Sequence, residues 1–213
     1  MPSTAISSKD YVIRVATANG ASKTISGATA ANPVVITSTA HGLPNGTVVF
    51  LDNLGGMVEL NGRAFVIANQ ATNTFELKGV DGTTYTAYTS GGTALPKTMT
   101  RIENLKGSSL FEGTTPEIDV TNQDSRRREY VIDIPDSGQG SLTLDVDATA
   151  AGQARLRALK GLTISEVFTA TNRNGQVAAF VAFVTSFPVN TAVGSAVNTQ
   201  VSLRITNEEA WFA

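Results

Sequence analysis

Few side chains in this sequence could do chemistry. His41 is the single histidine and cysteine is absent, which removes Cys/His zinc sites, Cys-His nucleophile pairs and most Ser-His-Asp arrangements. His41 lies in Thr39-Ala40-His41-Gly42-Leu43 beside a turn, with no nucleophile motif near it, so a structural role is the stronger reading. No phosphate-binding loop of the Gly-x4-Gly-Lys-Ser/Thr type occurs, and no strand–Gly-rich–helix dinucleotide fingerprint. Asp133, Asp136, Asp145 and Asp147 could offer oxygen ligands to calcium. They do not fall in an EF-hand register, however, and strand alternation explains their spacing. A paired-carboxylate hydrolase would need a cleft signal that is missing around them. The expectation is no catalytic residue, no metal and no cofactor: the chain reads as a non-enzyme.

Two further groups of residues stand out. Arg126-Arg127-Arg128 is the only basic cluster. Three arginines at a strand start suit a nucleic-acid patch, a solvated face or an interface ion pair, and the interface is favoured. Trp211 and Phe212 close the sequence. Terminal aromatics of this kind dock either on their own fold or on an adjacent subunit.

The elements that must carry these residues are mostly strands. Hydrophobic residues make up 41% and charged residues 16% of the 213 residues. The charged share is below the globular average of about 25%, so Thr, Ser, Asn and Gly must provide the polar surface, which suits strands and turns. The formal net charge of −2 provides no overall basic field for gripping nucleic acid. No apolar stretch is long enough to span a bilayer as a helix, and Met1 to Asp10 reads as a polar, flexible arm without a signal peptide's apolar run.

Tyr11, Ile13 and Val15 alternate as a first strand. Between about Thr29 and Pro96, Val34–Ile36, Val48–Leu51, Phe65–Ile67 and Phe75–Leu77 are separated by glycine turns at close spacing, which predicts a small barrel or sandwich. Farther on, Glu117 to Thr121 is a short strand, and Tyr130, Ile132 and Ile134 form one face of another. Leu142, Leu144 and Val146 face the core of the next strand, while Thr143, Asp145 and Asp147 face away. Asp133 is expected on the polar side of the partner strand, making an acidic face. Residues from about Gly107 to Thr115 read as a loop. One helix is expected over Ala150 to Lys160, capped by Asp147 or Thr149 and ended by Gly161. A long hairpin turns at Arg173-Asn174-Gly175, its second strand central and apolar on both faces, and Gln200 to Thr206 is the final strand. The fold class is therefore all-β with one packed helix. Residues 1–28 and 97–213 form a β-sandwich, with a small barrel-like β domain inserted over 29–96.

Two stretches carry a resemblance. Thr37-Ser38-Thr39-Ala40-His41-Gly42-Leu43-Pro44-Asn45-Gly46-Thr47-Val48-Val49, followed by Leu60-Asn61-Gly62-Arg63-Ala64-Phe65-Val66-Ile67 and Asn73-Thr74-Phe75-Glu76-Leu77, resembles a small β module recurrent in phage tail proteins. The profile of that module matches the first catalytic cysteine half-domain of ubiquitin-activating enzymes. It implies no enzymatic activity, because the module has no catalytic cysteine. Pro116-Glu117-Ile118-Asp119-Val120-Thr121, then Asp124-Ser125 and Arg128-Glu129-Tyr130, with the turn at Asp136-Ser137-Gly138, is similar to the tail tube (major tail) proteins of siphophages.

The second resemblance implies a structural virion protein that forms hexameric rings stacked into the tail tube, the conduit for DNA delivery. It implies as partners further copies of the chain, the tape-measure protein, and the tail terminator and tail-tip proteins. DNA would pass without specific binding, and no membrane would be engaged. The implied location is the virion tail, assembled in the bacterial host cytoplasm. On this reading Asp133, Asp145 and Asp147 are candidate lumen-facing acids that repel phosphate within a Debye length of about 8 Å. Arg126, Arg127, Arg128, Trp211 and Phe212 are candidate subunit-interface residues. The alternative is a baseplate or receptor-binding tail module that touches the host surface.

Overall fold

The computed structural model describes residues 11–206 and the backbone of 210–212. The arm expected over residues 1–10 lies outside the described residues. In chain order the strands are β1 (Val12–Asn19), β2 (Lys23–Thr24), β3 (Gly27–Ala28), β4 (Val35–Thr37), β5 (Val48–Gly55), β6 (Arg63–Ala68), β7 (Thr74–Leu77) and β8 (Ser90–Arg101). They continue as β9 (Leu105–Glu112), β10 (Glu117–Asp119), β11 (Tyr130–Ile132), β12 (Gln139–Asp145), β13 (Glu166–Thr171), β14 (Val177–Ser186), β15 (Asn198–Ile205) and β16 (Ala210–Phe212). A single α-helix among the described residues, α1 (Ala151–Leu159), separates β12 from β13.

The protein is all-β with one packed helix, as the composition and periodicity imply. One hydrogen-bonded path runs β3-β4-β7-β6-β5-β8-β1-β13-β14-β15-β12-β9, with β2 added to β8 and β16 to β14, while β10 and β11 pair only with each other. The path has two free ends, so it is not a closed barrel; over 29–96 the strands run β4-β7-β6-β5-β8, and residues 23–28 hydrogen-bond to β8 at one end (Lys23↔Ala94) and to β4 at the other (Ala28↔Ile36). β6 and β14, with four strands between them on the path, nevertheless pack together. The sheet curls back on itself and encloses its apolar faces.

Two apolar clusters fill the layers. The first contains Val34, Ile36, Val49, Leu51, Phe65 and Phe75 and reaches Ala16, Val167 and Val181 of β1, β13 and β14. The second gathers Ile13, Val15, Leu142, Phe168, Phe180, Val201 and Leu203 under Leu156 and Leu159 of α1. β8 joins the two. Its first half pairs with β5 (Leu51↔Ala94, Val49↔Pro96), and its second half pairs with β1 (Asn19↔Lys97, Arg14↔Arg101). The expected boundary at residues 96 and 97 therefore falls inside one continuous strand.

Three local expectations are corrected. Residues expected as a loop from Gly107 are the edge strand β9 as far as Glu112, held by β12 through Ser109↔Ser141 and Glu112↔Gln139. The strand containing Tyr130 pairs with β10, whereas β12 pairs with β9 and β15. The helix N-cap is Ala150, with no side-chain cap. Asp147 instead accepts from the backbone and hydroxyl of Thr149, at 2.8 and 2.6 Å. Buried Gln153 does the work expected of a cap: its Oε1 accepts the Asp147 N–H, while its Nε2 donates to the carbonyls of Glu103 and Asp145. Gly161 ends the helix in the left-handed region, at φ 76, as expected of a C-terminal glycine.

Candidate assembly interface

Beyond Glu112 and before Gln139 the β9–β12 pair continues outward as a two-stranded ribbon. Its rungs are Asp136 N–H to Thr114 O, Asp133 N–H to Pro116 O, the β10–β11 register Ile118↔Val131, and Val120 N–H to Glu129 O. Local side chains shape the tip. Asp119 accepts the Thr121 N–H, Asn122 accepts the Asp124 N–H, and Thr121 Oγ1 accepts the Glu129 N–H.

The base of the ribbon is tight. Gly138 has φ +92, and a Cβ there would lie 2.4 Å from the Gly113 nitrogen, so only glycine lets the strands meet. Asp136 anchors the base by accepting from the Gly138 N–H and from Arg204, at 3.0 and 2.9 Å. The Gly138 N–H is the first cause holding the Asp136 carboxyl below its usual value, opposed by desolvation and helped by Arg204.

Among the described residues, β10 and β11 pair only with each other. Residues 112–124 and 126–135 are exposed, among them Ile118, Val120, Tyr130, Val131, Ile132 and Ile134. Opposed residues in an antiparallel pair share a face. Ile118, Val120 and Val131 thus lie on one face and Tyr130, Ile132 and Ile134 on the other. Tyr130, Ile132 and Ile134 share one face, as their alternation implies, and Ile132 is 71% and Ile134 82% exposed. A lone two-stranded hairpin is marginally stable in water, and large apolar residues on both of its faces call for a covering surface. The sequence signal for this was Tyr130-Val131-Ile132, apolar on both faces between two polar, turn-rich stretches.

The candidate acids are separated. Asp133 is exposed on the ribbon and accepts its neighbour's Ile134 N–H. Asp145 ends β12 and is paired with Lys106 at 2.8 Å. Asp147 lies past the strand in the turn before α1. Asp133 is therefore not across from Asp145, because its strand pairs with β10. Arg126, Arg127 and Arg128 sit in the loop joining β10 to β11, at the ribbon tip rather than at a strand start. Among the described residues none of the three forms an ion pair, and Arg128 Nη1 lies 3.4 Å from the Tyr130 hydroxyl. The backbone of Trp211 and Phe212 belongs to β16, paired with Ala178 and Val177 of the same chain. Their side chains lie outside the described residues.

His41 is 1% exposed. Its Nε2 approaches the carbonyls of Ala71 and Thr74 at 2.9 and 3.2 Å. Carbonyls only accept, so Nε2 carries the hydrogen, and Nδ1 accepts the Leu43 N–H at 3.0 Å. The ring packs edge-on against Phe75, 5.1 Å between centroids. All its polar capacity is spent on the backbone turns on either side. His41→Ala should cost about 3 kcal/mol, through lost packing and orphaned backbone groups, read as a lower urea midpoint. Among the described residues no three His, Cys, Asp or Glu side chains gather as a metal site.

No curated protein matches the chain. Residues 32–96, which run from just before β4 into the middle of β8, match the family model of the ubiquitin-activating enzyme E1 FCCH domain. The β module seen in the sequence is thus similar to that domain.

Proposed function

We propose that this chain is a structural virion protein that assembles into hexameric rings, stacked as the tail tube of a long-tailed phage, with the FCCH-like module displayed as an insertion. The observation that carries this reading is the β10–β11 ribbon, apolar on both faces and exposed among the described residues. Further copies of the chain would cover it and give the hairpin the third layer it lacks. Charge supports self-association. The ribbon stem bears Glu117, Asp119, Glu129 and Asp133, while its tip bears three arginines without ion-pair partners, so a tip can meet a neighbour's stem. The resemblance of residues 116–130 to siphophage tail tube proteins supplies the ring and the tube. A mildly acidic subunit would let DNA pass, since each phosphate contact adds affinity and drag. The ends of the tube would meet the tape-measure, terminator and tail-tip proteins.

Negative-stain microscopy of the purified chain tests this: tubes or six-fold rings are expected. A species that stays monomeric at high concentration and is missing from virions overturns it. Replacing residues 114–137 with a short glycine turn should leave the thermal transition within about 5 °C of the parent, because the ribbon contributes no core contacts, yet abolish the tubes. Reversing the charge of Arg126, Arg127 and Arg128 together should do the same.

A further inference from the structure

A groove of about 530 Å3 opens where the curled sheet brings β6 close to β13 and β14. Its volume is in the range of small-molecule sites. Arg14 of β1 contributes to one part of the wall, and Lys78, just after β7, contributes to another. Both are half-buried. Arg14 Nη1 donates to Thr171 Oγ1 at 3.2 Å. Among the described residues neither cation has an ion-pair partner, and no carboxylate lines the groove. Glu76, close in sequence to Lys78, is taken by Asn69 Nδ2 at 2.7 Å.

The contrast within the same sheet is informative. Lys97 and Arg155, also half-buried, share Glu166. A partly desolvated cation without a counter-charge is costly, and here two of them line one space in which, among the described residues, no carboxylate lies. Val48, Val66 and Met99 also line the groove, an apolar surface that a simple inorganic ion would leave uncovered.

We propose that this groove binds a small organic carboxylate. The carboxylate head is held by Arg14 and Lys78, and a short apolar body rests on Val48, Val66 and Met99. A guanidinium fork and an ammonium suit a planar oxyanion, through charge-assisted hydrogen bonds. The site is separate from the ribbon, so it stands or falls apart from the assembly reading.

Isothermal titration calorimetry on the full chain tests it with three probes: benzoate, hexanoate and inorganic phosphate. Benzoate or hexanoate should bind saturably, with Kd below about 1 mM, and phosphate at least about tenfold more weakly. Arg14→Gln with Lys78→Gln should weaken the carboxylate at least about tenfold while the chain keeps its cooperative thermal unfolding. Arg126→Gln with Arg127→Gln and Arg128→Gln should leave it unchanged. Should the double variant fail to fold, Met99→Glu, which puts a carboxylate into the groove, must abolish binding instead. Absence of saturable binding by either carboxylate overturns the proposal. So does binding that survives in the folded double variant or that is lost in the arginine-tip variant. Phosphate binding as tightly as the carboxylates overturns the apolar half of the site.

Discussion

Glu166→Gln is expected to destabilise the chain by about 3–5 kcal/mol, because it leaves two cations facing one another without their shared counter-charge. Glu166 is the hub of three elements. On β13, its Oε1 accepts from Lys97 Nζ of β8 and from the Val167 N–H, each at 3.0 Å. Its Oε2 accepts from Arg155 Nη2 of α1 at 2.6 Å, and Arg155 Nε continues to the Ala16 carbonyl of β1 at 3.1 Å. The Glu166 side chain is 8% exposed and that of Lys97 10%, so the charges are screened little. Adding Lys97→Met to Glu166→Gln should recover part of the loss, since a methionine leaves no orphaned charge beside the Phe50 ring that Lys97 now overlies. A double variant no better than the single one would mean that Lys97 is not what the carboxylate offsets. Urea denaturation of the four chains reads the cycle.

The same hub sets the acid response. Burial raises the pKa of the Glu166 carboxyl, but the Val167 N–H, Lys97 and Arg155 together outweigh burial and leave it below its ordinary value of 4.5. A carboxyl depressed on folding contributes stability that is present above the unfolded value and lost as pH falls through the folded one. The wild type should therefore lose stability on acidification below about pH 4.5. Glu166→Gln should lose less over that interval, having no proton to take up at this position.

Much of this architecture was legible in the sequence, and the failures share a cause. Runs such as Val48–Leu51 and Phe65–Ile67 became β5 and β6 because each buries side chains in a shared core. The Arg173-Asn174-Gly175 turn joined β13 to β14 because its backbone needs no tertiary partner to form. β9 was missed because Lys106-Gly107-Ser108-Ser109 has little strand propensity of its own, and the edge of β12 recruits it. The boundary at residues 96 and 97 followed the end of the short, glycine-separated runs, a texture that does not reveal that one strand, β8, pairs on both sides of it. The alternation of Tyr130, Ile132 and Ile134 reports an apolar face without reporting what covers it. The groove at Arg14 and Lys78 left no trace in the sequence, since its walls come from β1, β6, β13 and the chain after β7, which meet only when the sheet curls.

Gly152→Ala separates local propensity from tertiary fit by the sign of its effect. Gly152 is the second residue of α1, where alanine should stabilise an isolated helix by about 1 kcal/mol. In the folded chain a Cβ at this position would lie 2.1 Å from the Arg101 carbonyl oxygen and 2.9 Å from Ile102 Cα. Both are backbone atoms, and they are fixed: Arg101 pairs with Arg14 in the β1–β8 ladder, and the Ile102 N–H donates to Ile13 O at 2.9 Å. No side chain can swing aside, so the helix must lift from the sheet. Lifting it withdraws Gln153 from the Glu103 and Asp145 carbonyls and Leu156 and Leu159 from the second core. The expected result is a net loss of about 3 kcal/mol, against a loss of about 1 kcal/mol for Ala158→Gly on the exposed side of the same helix. An unchanged or raised urea midpoint for Gly152→Ala would mean that α1 does not sit this close to the β8 terminus. Arg155 would then not be held against Glu166 by helix docking, and the ion-pair hub would have to form without it.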